Sequence, residues 1–79
     1  MFEIAKSARK HKIPDEDIKH ALTQAMAIED QEDDLRLYIG PARNAELLEV
    51  ATLPLVGRVE LVIHAMKMRS KYKKLLPKE

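Results

Sequence analysis

Apolar and polar positions follow two different rhythms along the chain, and the change of rhythm divides it. Ile18, Leu22, Ala25 and Met26 recur at helical spacing and predict a helix with one face turned to a core, where Met26 packs rather than binds a ligand. Pro14 starts that helix: it pushes Ile13 away from helical dihedrals while itself suiting the first helical position. Asp15, Glu16 and Asp17 then set negative charge at the positive end of the helix dipole. Upstream, residues 5–11 (AKSARKH) have helix propensity but only Ala5 and Ala8 as an apolar stripe. They predict a short first helix lying against something larger, with Lys6, Arg9, Lys10 and Lys12 outside. Residues 1–4 fit either an extended lead-in or a first helical turn.

From residue 35 the period becomes two. Leu35, Leu37 and Ile39 share one face and Arg36 and Tyr38 the other, which predicts a strand over residues 35–39 buried on one side. Gly40, Pro41, Ala42, Arg43 and Asn44 make the connection to a second strand over residues 45–53. There Leu48 and Val50 share a face with Glu46, while Leu47 and Glu49 point the other way, so the facing stays open. Pro54 and Gly57 bracket a hairpin turn. In the third strand Val59, Leu61, Ile63 and Ala65 are expected to face the helices, which puts His64 on the opposite face, open to water or a ligand. Met68, Tyr72, Leu75 and Leu76 then recur at helical offsets and dock a short basic C-terminal helix, which Pro77 stops. The expected fold is α+β in a single domain over residues 1–79: two N-terminal helices, a three- or four-stranded antiparallel sheet, and the C-terminal helix.

Size limits the core, because a domain this short hides only about 60% of the surface its unfolded chain exposes. A partner chain covering part of the surface would add stability by mass action. With no cysteine there is neither a disulfide framework nor a thiolate zinc site. No apolar run reaches the length of a membrane span and the first residues lack a secretory core, so a cytoplasmic protein without membrane contact is expected. The net charge of +1 conceals a separation: residues 1–12 carry +3, residues 13–34 carry −7, residues 35–57 carry 0 and residues 58–79 carry +5. Such asymmetry suits a polyanion on one face and a cationic partner, or solvent, on the other. Glu29, Asp30, Glu32, Asp33 and Asp34 predict a solvated loop; they lack the glycine and spaced glutamate of a calcium loop, and no metal or cofactor is expected.

The chemistry concentrates in residues 58–76 (RVELVIHAMKMRSKYKKLL). Cleaving RNA without a metal requires a group to take the 2′-hydroxyl proton, a group to protonate the leaving oxygen, and cations to steady the charged phosphorane. His64 is the residue type that titrates near neutrality, Arg69 offers a planar donor fork to phosphate, and Tyr72 can donate a proton or stack on a base. Lys71 adds charge. Each has a plainer reading: His64 as a strand residue bonded to a neighbour, Tyr72 as the anchor of its helix, and Lys73 and Lys74 as surface charges. Arg43 either reaches a phosphate or fixes its turn. His11 and His20 sit in charge-rich helical segments and receive no role.

The order of KHKIPDEDIKHAL, LRLYIGP, ELLEV and VELVIHAMKMRSKYKKLL resembles the small RelE-like toxins of bacterial toxin–antitoxin modules, and among them the BrnT-like group. The resemblance covers nearly the whole chain and implies helices packed on one face of an antiparallel sheet. It further implies an endoribonuclease that cuts mRNA, on the ribosome or off it, and a small antitoxin that neutralises it in a hetero-oligomer. By position it points to His64, Arg69 and Tyr72 as catalytic and to Arg43, Lys71, Lys73 and Lys74 as RNA-binding. One departure stands out: the BrnT-like strand usually ends in Ser-Ala-Arg, whereas this one reads His64, Ala65, Met66. Either His64 and Arg69 take over that work, or the protein is a non-catalytic toxin or adaptor that binds a protein target.

Overall fold

Pro14 and the three acids behind it start the one α-helix among the described residues, α1 (Asp15–Thr23), in the computed structural model, which describes residues 1–77. Its apolar face buries Ile18, Ala21 and Leu22. The helix stops at Thr23, earlier than expected. Met26 therefore leaves the core and is 48% exposed, its backbone N–H already donating to Ile39 O at 2.7 Å as the chain turns into a strand.

Five strands form one mixed sheet: β1 (Phe2–Ile4), β2 (Ala27–Asp30), β3 (Arg36–Pro41), β4 (Leu47–Pro54) and β5 (Glu60–Lys67), in the order β1-β5-β4-β3-β2. β1 runs parallel to β5 and every other pair is antiparallel. This overturns the expected two N-terminal helices and three- or four-stranded antiparallel sheet. Residues 1–4 are extended because Phe2, Glu3 and Ile4 register with Glu60, Leu61 and Val62. The stretch expected to be the first helix contracts to a 3₁₀ turn, Lys6–Arg9, with only Ala8 buried. One apolar contact does not offset the cost of nucleating a longer helix. The acidic run is not simply a loop either, since its first part forms β2, the outer strand beside β3. Its charges project to solvent, as suits a sheet edge.

Leu48, Val50, Val62 and Ala65 meet α1 in one cluster with Tyr38 and Ala8. β3 is buried on both sides, contrary to expectation: Leu37, Tyr38 and Ile39 are each under 5% exposed. The chain after β5 returns over the face away from α1, where Met68 N–H donates to Leu47 O at 3.0 Å and Tyr72, Leu75 and Leu76 are half-buried. This C-terminal segment is a 3₁₀ helix, Ser70–Leu75, with no fully buried side chain, rather than the docked α-helix its spacing predicts.

A bulge explains the remaining error of facing. Thr52 pairs with Val62 and Ala51 with His64, so Ile63 is the extra residue and the alternation flips there. Val62 and Ala65 face α1, while Leu61 and His64 lie on the other side; only Ala65 and His64 match the expected set. The radius of gyration, 11.7 Å, equals the roughly 11.6 Å of a compact chain of this length. No helix among the described residues is long and apolar enough to cross a membrane.

At the far end of the sheet from His64, Tyr38 Oη and Thr52 Oγ1 both donate to Glu60 Oε1 at 2.7 Å. Burial, and then this bond to Glu60, push the Tyr38 phenol up from its usual range. Tyr38→Phe should lower stability by about 1.5 kcal/mol, the low end for a bond to a charged group because Thr52 still satisfies the carboxylate. Urea unfolding measures it, and an unchanged midpoint would show the bond to be dispensable.

Candidate functional site

A carboxylate without a sequence-level role organises the site. Glu49 lies in β4 between Leu48 and Val50, so strand alternation turns it away from α1, and it is 0% exposed. Four donors meet it. Arg69 gives its backbone N–H to Oε2 at 3.0 Å and, to Oε1, Nε at 2.9 Å and Nη2 at 2.6 Å; His64 Nε2 lies 3.0 Å from the same Oε1. Among the described residues no buried side-chain polar atom lacks a partner. Burial raises the Glu49 pKa, but the Arg69 side chain, the Arg69 backbone N–H and His64 together outweigh it and hold the carboxyl below the usual glutamate range.

An ionised carboxylate can only accept, so His64 Nε2 carries a hydrogen and donates it. In the neutral ring Nδ1 is then the acceptor. Here β4 supplies the carboxylate, the outgoing end of β5 the imidazole, and the start of the C-terminal 3₁₀ helix the guanidinium. The His64 side chain is 33% exposed and that of Arg69 47%. Arg69 spends Nε and Nη2 on Glu49. Its Cζ lies 5.7 Å from the centroid of the Tyr72 ring, with Lys71 Nζ 5.0 Å from the same centroid. His64, Arg69, Lys71 and Tyr72 thus share one rim of the sheet.

His11, to which sequence reasoning gave no role, reaches the same rim. Its ring stands edge-on to His64, with centroids 6.0 Å apart. Nothing local signals this approach, because it depends on β1 pairing with β5. Glu49 carried a fainter signal: a charge flanked on both sides by apolar residues in a strand.

The other proposed residues lie elsewhere. Arg43 donates from Nε and from its backbone N–H to Asp17 Oδ1, at 2.7 and 3.1 Å, and so ties the β3–β4 turn to the start of α1. The Arg43 side chain, then its backbone N–H, holds the Asp17 carboxyl below its ordinary range. Of the two readings of Arg43, the turn-fixing one is what its bonds describe. Lys73 and Lys74 are exposed on the last turn. His20 Nδ1 donates to Pro41 O at 2.7 Å and fastens α1 to β3.

The larger cleft, about 490 Å³, opens at the opposite end of the sheet between Asp30, Arg36, Thr52, Arg58 and Glu60. Arg36 there is bound to Asp30 at 2.7 Å, so its cation is engaged. A smaller hollow of about 250 Å³ lies at the imidazole rim, lined by His11, Ile13, Met66 and Lys67. We assign the candidate chemistry to this rim on the strength of its residues. Among the described residues no group of three or more His, Asp or Glu side chains is placed to hold a metal ion. Comparison of the chain with protein-family models, with curated proteins and with solved structures finds no match in any of the three.

Proposed function

We propose that this protein is the toxin of a bacterial toxin–antitoxin pair, a metal-independent endoribonuclease acting on mRNA in the cytoplasm. The observation that carries the reading is the hydrogen bond from His64 Nε2 to buried Glu49, which fixes the ring and leaves Nδ1 as its accepting nitrogen, on a carboxylate that also holds Arg69. His64 takes the proton of a ribose 2′-hydroxyl through Nδ1. The guanidinium of Arg69 and the charge of Lys71 steady the phosphorane that forms. Tyr72, gripped by both cations, offers its exposed side to a base. The sequence resemblance to BrnT-like toxins supports the same class of activity, and a small antitoxin would silence the protein by covering this rim.

The test is cleavage of a mixed RNA pool by purified protein in the presence of EDTA. His64→Gln should slow it by at least about 10², the lower bound for a positioned proton-transfer group. Intact RNA after incubation with folded protein would overturn the reading. One observation favours a second one: two of the three guanidinium nitrogens of Arg69 are engaged by Glu49, as in a purely structural clamp. A toxin that binds a protein target would arrest growth on induction while leaving RNA whole.

A further inference from the structure

We propose that His11 is the second proton-transfer residue of the rim, protonating the leaving oxygen while His64 deprotonates the attacking one. The inference rests on the nuclease reading and extends it to a residue from the other end of the chain. Two imidazoles with centroids 6.0 Å apart and planes at 81° are close enough to serve the two oxygens of one phosphodiester.

The fold delivers His11 by specific means. β1 pairs with β5 only at Glu60, Leu61 and Val62, so the edge of β5 beyond Val62 is left without a strand neighbour. The 3₁₀ turn fills that edge, with Ser7 Oγ donating to the carbonyl of Ile63, the bulged residue, at 2.8 Å. Lys12 then adopts φ 61°, a left-handed turn that bends the chain immediately after His11. Exposed His11 lines the hollow with Ile13, Met66 and Lys67, and half-exposed His64 stands edge-on to its ring. His20, by contrast, is spent on Pro41 O, where it fastens α1 to β3.

The step balances without a cofactor. The 2′-oxygen attacks phosphorus and its proton passes to His64 Nδ1; the bond from phosphorus to the 5′-oxygen breaks, and His11 gives that oxygen its proton. The products are a 2′,3′-cyclic phosphate and a 5′-hydroxyl. One proton has been gained by His64 and one lost by His11, and exchange with water restores both.

A pair of dinucleotides separates the two roles: one with the natural 5′-oxygen, the other with sulfur at that bridging position, which leaves as a thiolate and needs no proton. His11→Gln should cleave the oxygen substrate about 10²-fold more slowly than the unaltered protein, yet cleave the sulfur substrate at nearly the unaltered rate. His64→Gln should be slow on both. The ratio of the two rates within one sample is independent of the folded fraction. Equal slowing of His11→Gln on both substrates, or on neither, overturns the role of His11 while the nuclease survives. If the unaltered protein cleaves neither substrate, the nuclease reading itself fails and this inference falls with it.

Discussion

Glu49→Ala is expected to destabilise the protein by about 3 kcal/mol, the lower end for breaking a buried ion pair, because Arg69 and His64 both retain access to water. For a chain of this size, total stability is on the order of 4–12 kcal/mol, so the loss is a large share. The C-terminal segment should suffer first, since both the backbone and the side chain of Arg69 are fastened to that carboxylate. Guanidinium unfolding together with limited proteolysis after Lys71, Lys73 and Lys74 measures both effects. A stable variant with an uncut C-terminus would show that the half-buried Tyr72, Leu75 and Leu76 hold the segment unaided.

The same residue sets a pH dependence. The folded-state pKa of Glu49 lies below its unfolded value, so the unfolded chain binds the proton more readily and folding is favoured by the ionised carboxylate. That contribution is complete above the ordinary glutamate range, about 4.3, and disappears as pH falls through the lower folded value. Asp15 and Asp17, held down mainly by hydrogen bonds from Arg9 and Arg43, add stability on the same side. Glu49→Gln isolates one contribution: its stability deficit against the unaltered protein should be constant at neutral pH and shrink below about pH 4. A deficit that stays constant across the acid range would mean that the charge of Glu49 does not matter.

Gly40→Ala should be at least as damaging. A β-carbon added to Gly40 would fall on the carbonyl oxygen of Ala21 and 2.9 Å from its carbon, and these are backbone atoms of α1 that cannot rotate aside. The helix would have to lift from β3, and with it Ile18 and Leu22 from the core. Overpacking against backbone at this site is put at about 3 kcal/mol, the upper end of the usual range. The thermal midpoint should then fall by roughly 12–24 °C, at about 4–8 °C per kcal/mol in a small domain. Circular dichroism during heating decides it; a shift of a degree or two would mean that α1 rides on the sheet more loosely than its contact with Gly40 implies.

Pro14 shows what was legible before folding and Gly40 what was not: read as a turn residue, it lies within β3, paired with Leu48 and pressed against Ala21. Punctuation and periodicity marked α1 and the three central strands, because proline, the acidic first turn and alternation act locally. β1 could not be read, since three residues became a strand only through a partner nearly sixty positions away. β2 hid beneath carboxylates that an edge tolerates because they point to water. The bulge at Ile63 is a single extra residue, and it exchanged the faces of Leu61 and Val62. At the rim, the nearness of His64, Arg69 and Tyr72 was legible from their spacing. The hidden member was Glu49, whose burial depends on a guanidinium twenty residues later. Arg43 stayed open between phosphate and turn for want of knowledge that Asp17 would stand beside it.

The parallel pairing of β1 with β5 also governs when the molecule can take shape during synthesis. Phe2, Glu3 and Ile4 have nothing to dock against until Glu60, Leu61 and Val62 have been translated. Glu49 likewise waits, an unneutralised charge, for Arg69. The sheet edge and the neutralised charge are therefore both completed by chain beyond residue 59, so this domain takes shape late in its own synthesis.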